Sequence, residues 1–172
     1  MISFAQDTQQ QAYERIAALV TQLYGEAASP VGDWPAFRLT RGPSSVVVAV
    51  EAWGEDRAVL AASSWVVLGA ERSEELYRFL LERSFEQRFG SFTMDAVGDI
   101  QFMYRMPADL VDKEAVRTAI EAVLWTTSRF DSEIIARFGG MRQADAAAAR
   151  DFERSLEEAG LRLPPEDDQE AA

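Results

Sequence analysis

Apolar and polar positions alternate along this chain in two periods, and the changes of period divide it into helices and strands. From about Asp7 to Tyr24, Ala12, Ile16, Leu19, Val20 and Leu23 recur at the spacing of one helical face, with Asp7 or Thr8 as cap and Gly25 as stop. Glu26 to Pro35 reads as a loop, because Pro30, Gly32, Asp33 and Pro35 resist regular structure. Phe37–Thr40 is a short strand ended by Gly42-Pro43. Ser45–Trp53 and Arg57–Leu68 are two longer strands joined through Gly54, Glu55 and Asp56. Ser73 opens a second helix whose shared face holds Leu76, Phe79, Leu80 and Arg83, closed by Phe89-Gly90. Ser91–Val97 and Ile100–Met106 form another hairpin around Gly98-Asp99. Asp112 caps the longest helix, where Val116, Ile120, Val123, Leu124, Thr127, Ile134, Ile135 and Phe138 trace a broad stripe before Gly139-Gly140. An alanine-rich fourth helix follows, from about Ala144 to Ala159, with a weak face of Ala148, Phe152 and Leu156.

This order predicts an α+β fold: an antiparallel sheet of about five strands with packed helices, α-β-β-β-α-β-β-α, plus an extra C-terminal helix. Residues 1–143 form the domain, 144–160 the appended helix, and 161–172 an acidic tail expected to be disordered.

The central hairpin is apolar on both faces. On its first strand Val46, Val48, Val50 and Ala52 point one way, and Val47, Ala49, Glu51 and Trp53 the other. On its second, Leu60, Ala62, Ser64, Val66 and Leu68 oppose Val59, Ala61, Ser63, Trp65 and Val67. An antiparallel sheet with one wet face alternates more sharply than this. Either helices cover both faces, or the second face meets another polypeptide with Trp53, Val59, Trp65 and Val67 as contacts. Tryptophan suits such a surface because it buries a large area and keeps one polar handle. Leu76, Phe79 and Leu80 of the second helix are the candidates for a dimer interface. Trp34, in a loop, allows local capping or a partner contact, and Trp125, beside Leu124 on the long helix, widens its core stripe.

Composition narrows the chemistry. The chain has no cysteine and no histidine, so disulfides, thiolate or imidazole ligands, and Ser–His–Asp or Cys–His catalysis are excluded within it. With 29 acidic and 17 basic residues the net charge is −12, which opposes nucleic acid and anionic lipid alike. No signal peptide or membrane-length apolar run is read, so a cytoplasmic protein without membrane association is expected. Asp95, Asp99 and Glu51 are the carboxylates that a divalent-cation enzyme would use. Asp99 beside Gly98 also reads as turn chemistry, and Asp95 alternates outward with Thr93. A regulatory or structural protein that only self-associates is the remaining alternative.

Three segments, Arg57–Leu68, Leu76–Leu81 and Phe92–Phe102, together with the element order, resemble the YbjN family and the class I type III secretion chaperones, over roughly Gln10 to Phe138. The resemblance implies a bacterial, non-enzymatic α+β domain that works without cofactors, dimerises, and holds an extended segment of a client protein or peptide on apolar surfaces. A client could also add to a sheet edge through main-chain bonds, and the acidic surface favours basic clients.

Overall fold

Six antiparallel strands make one sheet among the described residues, one more than the sequence pattern suggests. The computed structural model describes residues 2–158, with residues 149 and 152–158 given by their backbone alone. The expected faces of Phe152 and Leu156, and the tail 161–172, lie outside that description. The elements are α1 (Asp7–Tyr24), β1 (Ala28–Pro30), β2 (Ala36–Arg41), β3 (Ser44–Trp53), β4 (Arg57–Val67), α2 (Glu74–Glu86), β5 (Ser91–Met94), β6 (Ile100–Pro107), α3 (Lys113–Phe138) and α4 (Gln143–Glu158). In space the strands run β1-β2-β3-β4-β6-β5.

The added strand is β1, in the stretch read as a loop. It pairs Ala28, Ser29 and Pro30 with Leu39, Arg38 and Phe37. Proline is tolerated there because β1 lies at the edge, where a missing N–H breaks no ladder. The opposite edge, β5, is only four residues long, and its Phe92 N–H donates to Ser84 Oγ of α2 at 2.9 Å.

Local signals set the helix starts. Ser73 Oγ accepts from Leu76 N at 3.1 Å, and Asp112 Oδ1 from Ala115 N at 2.7 Å, as their cap positions require. α1 begins differently from the expectation. Gln6 is the cap residue and makes no side-chain cap bond. Gln9 instead folds back to accept from Ala5 N at 2.7 Å and donates to Val50 O at 2.7 Å, which ties the helix start to β3.

The inner face of the sheet carries Val46, Val48, Val50, Leu60, Ala62, Val66, Ile100 and Phe102, all essentially inaccessible to water. α1 and α3 cover it with Ile16, Val20, Val116, Ile120, Val123 and Ile134. α2 closes the β5 end: Phe79 meets the α3 rings Phe130 and Phe138 at 6.5 and 5.7 Å, and Phe92 stands edge-on to Phe102 and Phe130. Each such side chain contributes about 1.5–3 kcal/mol by leaving water.

That packing corrects the placement of Leu76, Phe79 and Leu80. They are 0%, 4% and 6% exposed and belong to the core of one chain. The outward stripe of α2 is Tyr77, Leu81 and Phe85, of which Leu81 is 72% and Phe85 92% exposed.

After α3 the chain turns sharply at Gly139-Gly140. Leu68 and Met141 exchange backbone hydrogen bonds of 2.8 and 3.0 Å beside the end of β4. Gly140 sits so close that an added Cβ would lie 2.5 Å from Leu68 O, and its φ of +85° is one that other residues resist. Arg142 then donates to Asp131 Oδ2 through Nε at 2.7 Å and to Ser132 Oγ through Nη2 at 2.7 Å. The Asp131 carboxylate holds the Arg142 guanidinium above its ordinary pKa. α4 starts on the far side of the sheet, where Ser45 Oγ donates to Gln143 Oε1 at 3.1 Å.

Candidate functional site

α1, α2 and α3 all pack on the inner face or at its end, so the outer face of the sheet is left to its own side chains and to the start of α4. On β4 this face presents Arg57, Val59, Ala61, Ser63 and Trp65, flanked by Val47, Ala49, Glu51 and Trp53 of β3 and by Gln101, Met103 and Arg105 of β6. From Arg57 to Trp65 is eight residues, or roughly 26 Å at strand rise. Apolar groups sit at both ends of this track and small ones in the middle.

Trp53 forms one end. It is the last residue of β3, it is 50% exposed, and the Arg57 guanidinium stacks over its ring at 5.4 Å. Gly54, with φ of +66°, turns the chain back and pairs Trp53 with Arg57. Gln6 Nε2 donates to Arg57 O and braces the same turn from α1. Hollows open on either side of the indole. One, of about 390 Å³, is lined by Val59, Met106 and Pro107 and by the Glu51–Arg105 ion pair. The other, of about 660 Å³, lies toward Thr8 and Arg15 of α1 and the exposed Leu110.

Trp65 forms the other end and is half-buried. Continuing the β3–β4 register from Val47 opposite Ser63 brings Ser45 beside it, so the start of α4, bonded to Ser45 through Gln143, lies at this end of the track and not at Trp53. Val59 is half-buried between the two. The structure therefore places Trp53, Val59 and Trp65 on one face.

Val67 is different. The β4–β6 register shifts between Trp65 and Val67, and the resulting irregularity turns Val67 into the core at 0% exposure. Sequence reasoning also missed the Arg57 stack. The signal for it was the three-residue turn, which sets Trp53 and Arg57 opposite one another.

The carboxylates do not converge. Asp95 Oδ1 accepts from Val97 N at 2.9 Å and Asp99 N at 3.0 Å, and Asp99 Oδ1 from Gly69 N at 2.7 Å. Glu51 pairs with Arg105 at 3.2 Å. Glu51 lies opposite Val59, whereas the Asp95–Asp99 turn adjoins Ile100 opposite Val67. Eight residues of β4, roughly 26 Å, separate the two places, so one cation cannot bridge them. Among the described residues no group of three or more acidic side chains gathers to hold a metal, and no helix is long and apolar enough to cross a membrane.

Trp34 is exposed in the turn before β2, where its backbone bonds Val31 O and Ala36 N. Trp125 is exposed on α3, away from the outer sheet face.

Residues 10–146 match a family model described as T3SS (YopN, CesT) and YbjN peptide-binding chaperone 1. Among solved structures, a chain in the crystal structure of the ExsC-ExsE complex has the same fold, with a TM-score of 0.55 at 15% identity over 75% of this chain and 97% of that one. No curated protein matches the sequence.

Proposed function

The chain belongs to the T3SS (YopN, CesT) and YbjN peptide-binding chaperone family, and from that membership we propose that it holds an extended client segment along the outer face of its sheet, between Trp53 and Trp65, without catalysing a reaction. The observation that carries this reading is the half-exposed Trp53, flanked by two hollows at the open end of an apolar track that α1, α2 and α3 leave uncovered. A strand-like segment of about eight residues matches the track length. Covering the open half of Trp53, roughly 100 Å², is worth about 2.5 kcal/mol.

The client is a basic, apolar segment. The net charge of −12 attracts it at long range, while on the track itself Glu51 is already paired with Arg105. Neither edge of the sheet favours main-chain addition: β1 ends on Pro30, and the Phe92 N–H of β5 is already bonded to Ser84. The segment is therefore held by side chains on the face. The same chain pairs with a second copy, a reading supported by the apolar stripe Tyr77, Leu81 and Phe85 on the outside of α2.

A binding titration tests the proposal. Fluorescein-labelled ten-residue peptides rich in lysine and leucine are titrated onto wild type, Trp53→Ala and Trp65→Ala. Each substitution is expected to weaken binding at least about tenfold while leaving the thermal midpoint of Trp53→Ala nearly unchanged. Wild-type affinity in both variants would remove the outer face as the site. Light scattering checks the pairing: Leu81→Arg with Phe85→Glu should convert a two-chain mass to one.

A further inference from the structure

Outside the client track, one concave region combines an exposed ring with guanidinium groups that lack acidic partners. Trp125 stands 59% exposed on α3 between two hollows, one of about 690 Å³ toward the end of α2 and one of about 720 Å³ toward Arg41 and Gly42. The Arg129 guanidinium stacks 5.3 Å from the Trp125 ring and 5.5 Å from Phe130. Arg78, Arg83, Arg105, Arg117, Arg137 and Arg142 each pair with a carboxylate within 4 Å. Among the described residues Arg41, Arg88 and Arg129, which line these hollows, have no such partner, and neither do Arg15, Arg38, Arg57, Arg72, Lys113 and Arg150 elsewhere on the surface. Of the acids that line them, Glu86 is bonded to Arg83 and Glu133 to Arg137, which leaves Glu121 against three cations. Counting paired groups as well, four arginines face three glutamates here, so in a chain of net charge −12 this is an arginine-rich, aromatic patch that is close to neutral.

The chain itself carries the complementary segment. Fourteen residues, 159–172, follow the last described turn of α4, and among them are Pro164-Pro165, Glu166, Asp167, Asp168 and Glu170 against a single basic Arg162. Proline pairs dock on aromatic surfaces, and carboxylates on guanidinium forks. Extended, fourteen residues reach up to about 46 Å, comparable with the diameter of a domain this size. We infer that the groove around Trp125 is the docking site of this chain's own C-terminal segment, with Pro164-Pro165 against the indole and Glu166, Asp167 and Asp168 on Arg88 and Arg129. Tethering favours this occupant over an acidic segment of another protein, because the linked segment is present at an effective concentration in the millimolar range. The site lies on the helical side of the molecule, so it stands or falls separately from the client track.

The absence of cysteine makes the test direct. Gln169→Cys in the full chain accepts one small dye that is quenched on contact with tryptophan. Docking predicts strong quenching that Trp125→Phe relieves and that Arg88→Glu with Arg129→Glu relieves too, shifting the docked-to-free ratio by about tenfold. Raising the ionic strength from about 0.1 M to about 1 M shortens the screening length from about 10 Å to about 3 Å and should also release the dye. Unquenched dye in the wild-type background overturns the inference. So does relief by Trp53→Phe or Trp65→Phe instead, which would put the segment on the sheet face. Quenching that grows with protein concentration would assign the segment to a second copy and overturn the intramolecular form.

Discussion

Replacing Arg142 with methionine tests what holds the start of α4 to the rest of the domain. Asp131 is 6% exposed and accepts from Arg142 Nε at 2.7 Å; its other hydrogen-bond donors are the hydroxyl and amide of Ser132. Arg142→Met leaves that carboxylate buried with Ser132 alone. Breaking a fully buried pair costs about 3–5 kcal/mol. The Arg142 side chain is 35% exposed, so water screens the pair and can partly replace the lost donor, which brings the expected cost to about 2 kcal/mol. For a chain of this size that lowers the thermal midpoint by roughly 4–8 °C. Adding Asp131→Asn to Arg142→Met removes the stranded charge and should recover about half of the loss. Denaturant unfolding of the four forms gives the coupling energy, expected above about 1 kcal/mol. A loss under about 0.5 kcal/mol for Arg142→Met would show an ordinary surface pair and refute a stabilising role for the Asp131–Arg142 contact.

Three further outcomes follow from the packing. Gly140→Ala should cost about 3 kcal/mol or more in denaturant unfolding, because its Cβ meets Leu68 O; Gly139→Ala, with no atom within 4 Å, should cost only about 1–2 kcal/mol from its φ of +69°. Leu76→Ala should cost about 3 kcal/mol by opening a core cavity, whereas Leu81→Ala should stay within about 0.5 kcal/mol, and equal losses would contradict the assigned orientation of α2. Burial raises the Tyr13 phenol above its ordinary pKa of 10.0, so its contribution is complete below that value and is lost as pH rises through the folded value. Wild type should therefore lose midpoint temperature above about pH 10 more steeply than Tyr13→Phe, which keeps the stack on Phe37.

The order of elements was legible because each boundary has a local cause. Ser73 and Asp112 mark helix starts, and Gly54 and Gly139-Gly140 mark turns, whatever the rest of the chain does. The side of the sheet that helices cover was not legible, because Val46 and Val47 are equally apolar and only tertiary packing separates them. Leu76, Phe79 and Leu80 illustrate the same limit from the other direction. A helical apolar face is written identically for a core and for a subunit contact, and here the α3 rings Phe130 and Phe138 of the same chain meet Phe79 on it. Of the candidate contacts, Trp53, Val59 and Trp65 fall together by strand parity, while Val67 departs because one irregular step in β4 resets that parity. The arginines around Trp125 come from α2, α3 and the β2–β3 turn, a meeting that no local spacing encodes.

The blunted borders of the sheet have a consequence for what can be held there. A bound strand that borrows main-chain partners is fixed in one alignment, and slipping by a single residue reverses which side chains face in. A segment gripped only through indole and aliphatic contacts has no such lock. It can creep along β4 two residues at a time at little cost, and unrelated sequences of suitable charge can take its place. For the client proposed above, closed rims and an open floor would thus give tolerance toward the guest.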